Sequence, residues 1–187
     1  MSATQTKTPT PTDTGPNAHG PRVDGPGLSA STYTRILDEG YGLHPNAQSR
    51  GAWYGADLRA AIGDVTAKSA FTRPARERHN IAEIALHHAY WVGQIESKLT
   101  GAGATAFPLV GEDWFELDDD SRLSWSAIVT LVDASHQRLS RTVGEIAGGN
   151  RPSPLSERER FDLVIGITGH AAYHAGQIQL VKKLLHK

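Results

Sequence analysis

The sequence predicts an all-α fold, a four-helix bundle with one long crossover between its second and third helices. Three observations carry that expectation. No stretch sustains the period-2 alternation that strands need, whereas several show period 3.6. Four amphipathic helical stretches of bundle length follow one another. The connection from Gly101 to Asp120, ~20 residues, is well beyond an ordinary bundle turn and is long enough to let its two flanking helices run parallel.

Residues 1–27 are rich in Thr, Pro, Gly and Ser, with Val23 almost the only sizeable apolar side chain. Such a segment buries too little surface to offset its ordering entropy and reads as a disordered tail. The domain proper is expected over residues 28–187. Its first helical region runs from about Ser31 to Gly40. A Gly/Pro/Asn-rich break follows, from Gly42 to Gly51, then a second piece from about Asp57 to Ala70, the two making one broken first element. The second helix starts at Asn80, an N-cap with Glu83 placed to reach back in a capping box, and runs through Leu99 to the break at Thr100–Gly103. The third covers about Trp125 to Ile146, with Ile128, Leu131, Val132, Leu139, Val143 and Ile146 on one stripe, and ends at Gly148-Gly149-Asn150. The fourth begins near Ser156 to Glu159 and runs almost to the end of the chain. Its stripe is Leu163, Ile167, His170, His174, Ile178, Val181 and Leu185.

Composition excludes several functions. The 19 basic and 20 acidic residues leave a formal net charge of -1, so no basic face is expected and nucleic acid is disfavoured as a partner. With no cysteine among the 187 residues, disulfides, thiolate ligands and a cysteine nucleophile are all ruled out. Any metal must be held by His, Asp or Glu, and there are nine histidines. No apolar signal core opens the chain and no run of about 18 apolar residues occurs, so the expectation is a soluble cytoplasmic protein without a membrane partner.

His170 and His174 stand four apart on the apolar stripe of the last helix, so both imidazoles project from one face into the core. A neutral imidazole there needs hydrogen-bond partners or a metal. A pair of metal ligands and a pair of core histidines bonded to backbone or water are the alternatives. A third ligand would come from another helix, and the second offers adjacent His87 and His88, about 100° apart around the axis, of which one is expected to point away. Periodicity alone does not choose between them.

The run Tyr173-His174-Ala175-Gly176-Gln177-Ile178, preceded by His170, resembles the H-x-x-Y-H-x-G-Q-I signature of the DinB/YfiT-like superfamily. Leu86-His87-His88-Ala89-Tyr90-Trp91 is similar to that family's second-helix signature. Arg73-Pro74 through His79–Glu83 and Trp53–Leu58 also resemble family segments, although many relatives carry a histidine where Tyr54 stands. The resemblance covers roughly Leu28 to the C-terminus. It implies a four-helix bundle with a long crossover, usually a homodimer, with one divalent ion on His87, His170 and His174.

Three neutral imidazoles leave such an ion its full charge and an open position, an arrangement suited to catalysis because structural zinc is normally closed by four protein ligands. The open position suits a water of lowered pKa, a thiolate or a polarised carbonyl. Imidazole ligands fit zinc or nickel first, with copper and iron also compatible. Gln177 and His136 are the candidate catalytic residues: Gln177 to line the site or bond a bound water, His136 as a partner behind a ligand or a proton carrier. Packing contacts are the alternative for both, and for Tyr173. Glu83 is explained by its capping role, and Trp91, Trp114 and Trp125 as core or pocket wall. Asp118-Asp119-Asp120 reads as a solvated approach to the third helix, where negative charge favours the N-terminus.

The leading expectation is therefore a metal-dependent enzyme of hydrolase or thiol-dependent S-transferase type, acting on a small molecule with a low-molecular-weight thiol as a possible co-substrate. The alternative is a non-catalytic, stress-related metal-binding homodimer in which the ion is structural. Nothing in the residues names the substrate.

Overall fold

In the computed structural model the described residues are 27–43, 52, 54–104, 106–111 and 113–185. They form six helices and no strand: α1 (Ala30–Tyr41), α2 (Leu58–Gly63), α3 (Ala67–Phe71), α4 (Ile81–Thr100), α5 (Trp125–Ala147) and α6 (Glu157–Leu185). The fold class is all-α. The predicted tail, apart from Gly27, lies outside the described residues, as do residues 44–51 of the predicted break and Trp53.

The helices start where a side chain can accept one of the first, otherwise orphaned, N–H groups. Ser29, Asp57, Thr66 and Ser124 do this for α1, α2, α3 and α5. Asn80 caps α4, and Glu83 answers it to complete the capping box read from the sequence. The piece predicted over Asp57 to Ala70 is two short helices, because Asp64 ends the first and Thr66 caps the next only two residues later. The second, third and fourth predicted helices match α4, α5 and α6 to within a residue or two at each end. Gly101 closes α4 at a positive φ of 68°, a conformation that suits a residue without a Cβ.

Two clusters make up the interior. One joins the N-terminal half of α4 (Ile81 to Ala89), the start of α5 (Trp125, Ile128, Val132), the second half of α6 (Ala171 to Val181) and α2. The other joins Val92, Ile95 and Leu99 of α4 with Leu139, Val143 and Ile146 of α5, Val164 and Ile167 of α6, and Tyr33 and Leu37 of α1. First halves meet first halves and second halves meet second halves, so α4 and α5 run parallel, while α1 and α6 run against them. That parallel pair is what the long crossover, residues 101–124, was expected to allow. α1 packs on α5 and α6, and α4 packs on the same two. Gly40 lets α1 approach closely, since a Cβ there would stand 2.9 Å from the backbone oxygen of Thr168.

The crossover is held down rather than looped out. Phe107 and Phe115 stack at 5.1 Å and both meet Tyr90 edge-on. Leu117 is buried and donates its N–H to Glu83 Oε1 at 2.8 Å. No helix among the described residues is long and apolar enough to cross a membrane.

Candidate metal centre

His87, on α4, and His170 and His174, one turn apart on α6, come together. One ligand-capable nitrogen from each lies within 4.8 Å of the others. His170 Nε2 stands 3.3 Å from His87 Nε2 and 3.0 Å from His174 Nε2. An ion bound tetrahedrally at bond lengths of 2.0–2.1 Å would hold its nitrogens about 3.3 Å apart, so the residues fit one.

The opposite side of each ring fixes which nitrogen faces inward. His87 Nδ1 lies 2.8 Å from the carbonyl oxygen of Asp113, a contact that Nδ1–H donation satisfies. His174 Nδ1 lies 2.6 Å from Gln177 Oε1, again with the ring as donor. Both Nε2 atoms therefore keep their lone pairs for the interior. His170 Nδ1 meets His88 Nδ1 at 3.1 Å. If His170 donates there, three lone pairs converge, an arrangement that is repulsive until a cation sits among them.

Electrostatics keeps these rings neutral, as metal ligands must be. Burial lowers the His87 pKa, with the Asp113 carbonyl bond and charge pulling the other way. Burial, then His174 and His87, push His170 down to about 3. Burial lowers His174 to about 4 despite its bond to Gln177. His88, wholly enclosed, is driven well below the ordinary imidazole value by desolvation and then by the neighbouring histidines. The local dielectric penalises any imidazolium here.

Sequence reading expected one of His87 and His88 to point away. Both are buried, and His88 instead backs onto His170. Gln177 is adjacent to the cluster through His174 and also donates Nε2–H to the hydroxyl of Tyr173, an exposed side chain. His136 is not in the cluster. It is buried between α1 and α5, with Nε2 3.0 Å from Asp38 Oδ1 and its ring stacked on Tyr41 at 4.0 Å.

Two features had not been assigned to the site. Trp114, in the crossover, is sandwiched between His79 and His87, with ring centroids 3.8 Å from each and planes 9° and 10° apart. Glu83 does more than cap. Its fully buried carboxylate also receives Leu117 N–H, pairs with the Arg73 guanidinium and meets His79 Nδ1 at 3.0 Å. One carboxylate thus ties the crossover and the segment before α4 to the helix that carries His87. The aromatic residues interrupting the crossover, Phe107, Trp114 and Phe115, were the available signal that it packs down. A backbone carbonyl such as that of Asp113 leaves no signal in a sequence. The acidic run Asp118–Asp120 is exposed as expected, but α5 starts later, at Ser124, and Asp118 pairs with Arg73 at 3.0 Å.

Compared with known proteins, the chain matches no protein-family model, no curated protein and no solved structure.

Proposed function

We propose that the four long helices constitute a four-helix bundle of the DinB/YfiT-like type, and that it holds one divalent ion, zinc or nickel first, on Nε2 of His87, His170 and His174. On this reading the protein is a metal-dependent enzyme of hydrolase or thiol-dependent S-transferase type with a small-molecule substrate. The observation that carries it is the convergence of three neutral imidazoles at metal-ligand spacing, two of them with the outer nitrogen committed as a donor. With three protein ligands, a bound ion would supply Lewis acidity and a position able to activate water or a thiol.

The chain's own residues prepare the site for that role. The Asp113 carbonyl and the Trp114 ring hold the His87 plane. Gln177 holds the proton of His174 on Nδ1. His88 takes the corresponding part behind His170.

Metal analysis of the full chain purified without chelator should find about one equivalent of divalent ion per chain. A His170→Ala/His174→Ala double variant should lose it, and full occupancy in that variant would sink the site. Cobalt substitution then separates enzyme from structural centre. Added thiol or azide should change the visible spectrum, and a spectrum indifferent to both makes the ion structural.

A further inference from the structure

The aliphatic end of the interior holds a cavity remote from the histidines. It lies between α1, α4, α5 and α6, with Leu99, Val143, Ile146 and Val164 among its walls and Tyr33 and Arg160 as its polar members. Leu99 stands twelve residues beyond His87 on the same helix, about 18 Å along the axis. With its mouth the cavity encloses about 210 Å³, the share of about seven waters at ~30 Å³ each. Pockets for drug-sized ligands run to about 300–1,000 Å³, so only a short molecule fits this one.

Two hydrogen-bond donors meet in this apolar space. Tyr33 is 3% exposed, and its hydroxyl is buried with no hydrogen-bond partner among the described residues. Folded proteins ordinarily pair such a group, because burial takes it out of water. Arg160 donates Nη1–H to the carbonyl oxygen of Leu155 at 3.1 Å and forms no ion pair among the described residues. A guanidinium carries five N–H donors, so one such bond leaves most of them for a ligand. The two groups are close enough to act on each other: burial and then Glu157 raise the Tyr33 pKa, and Arg160 pulls it back down. Glu157 itself is exposed, with Oε1 accepting the Leu28 N–H at 2.8 Å.

We propose that this cavity binds a short linear monocarboxylate, with its carboxylate between the Tyr33 hydroxyl and the Arg160 guanidinium and its alkyl chain against Leu99, Val143, Ile146 and Val164. A carboxylate is the acceptor that satisfies both donors at once, and bonds to it from a guanidinium are of the stronger, charge-assisted kind. An amine would meet only donors and a like charge. A neutral alcohol would answer the hydroxyl and leave the guanidinium unmatched. The aliphatic walls favour a carbon chain over a hydrated inorganic anion. Glu157 is the opposing charge and holds the affinity down. For a ligand of so few atoms the dissociation constant falls in the millimolar range. The site does not depend on the metal reading.

The test is amide NMR of the full chain titrated with sodium butyrate, against sodium chloride at equal ionic strength. Saturable shifts are expected at Val143, Ile146 and Val164, with a dissociation constant of about 1–10 mM. His170→Ala/His174→Ala should bind butyrate equally well, which separates this site from any carboxylate held by the histidines. Tyr33→Phe and Arg160→Met should each weaken binding about tenfold, the methionine keeping much of the apolar stem. Glu157→Gln should tighten it. Affinity should climb from acetate to butyrate and stop climbing by hexanoate, whose chain outruns the cavity. Without ligand, Tyr33→Phe should melt no lower than the wild type, since the hydroxyl it removes has no protein partner to lose. Absence of saturable shifts, or shifts confined to the histidines, overturns the proposal. So does butanol binding as tightly as butyrate, or an affinity that keeps rising with chain length. Unchanged butyrate binding in Tyr33→Phe and Arg160→Met overturns it as well, and so does a lower melt for Tyr33→Phe, because the hydroxyl is then already satisfied.

Discussion

The two ends of the helical interior are built from the same three long helices and do opposite work. At one end the inward positions of α4, α5 and α6 are mostly aliphatic, among them Val92, Ile95, Leu99, Leu139, Val143, Ile146, Val164 and Ile167, with Thr142 bonded to Glu96. At the other, inward positions include Asn80, Glu83, His87, His88 and His174. Helix propensity cannot explain the contrast, since each helix passes through both ends. Burial of apolar area stabilises the first end without regard to direction. The second is tolerable only because nearly every polar atom has a placed partner, and the three inward Nε2 atoms are left for something else. Stability and chemistry are thereby separated along the helix axis, which makes the separation testable.

Two substitutions of similar cost should break the molecule in different ways. Leu139→Ala removes a fully buried side chain and should lower unfolding free energy by about 2–5 kcal/mol. Glu83→Ala strips partners from Leu117 N–H, Asn80 N–H and Arg73 and should lower it by about 3–5 kcal/mol. Urea denaturation measures both. Only the Glu83 variant should also change Trp114 emission and weaken zinc binding, because only it releases the crossover that stacks on His87. Equal effects of both on zinc would mean the two ends are not separable.

Metal addition sharpens the same contrast. At a hundred times its dissociation constant, zinc should stabilise the wild type by about 2.7 kcal/mol. Thermal melts with and without zinc should show the same increment in Leu139→Ala and none in His170→Ala/His174→Ala.

How much of this was legible follows the same division. Period 3.6, the Asn80–Glu83 capping box and the i, i+4 histidines are local patterns, so α4, α5, α6 and the His170–His174 pair could be read directly. The position of His87 relative to His170 depends on how two helices face each other, which no local pattern encodes. Choosing His87 over His88 leaned on a family resemblance that the comparisons leave unsupported. The Trp114 sandwich and the four partners of the Glu83 carboxylate arise from a 24-residue connection, 101–124, folding back on α4, a long-range event written only as aromatic and aliphatic residues scattered through a loop of mixed composition. The division of residues 57–70 into two helices was missed because a second cap, Thr66, lay hidden inside an apparently continuous pattern.

His88 offers a finer test. His88→Phe keeps a ring in the core but cannot accept from His170 Nδ1. Zinc affinity, measured by competition with a chelator, should fall about tenfold to a hundredfold. Stability without metal should change much less than in Leu139→Ala. An unchanged affinity would show that His170 needs no orienting partner.

The smallest effect expected is that of pH on the metal-free protein. His170 and His174 are lowered to about 3 and about 4 by burial first of all, against about 6.5 in an unfolded chain. Between those limits the unfolded state binds more protons than the folded one, so stability rises with pH. The contribution is present in full above about pH 6.5 and is lost as pH falls, levelling off only once the folded-state values near 4 and then 3 are passed. His170 is half-buried, so solvent screening keeps its share modest. Leu139→Ala should shift the whole stability–pH curve down without altering its slope between pH 6.5 and 4. His170→Ala/His174→Ala should reduce that slope, because two of the buried imidazoles that bind protons only on unfolding are gone while His87 and His88 remain. If the double variant retains the wild-type slope, the acid sensitivity lies elsewhere, with His88 and His87, which burial also lowers, the next groups to test.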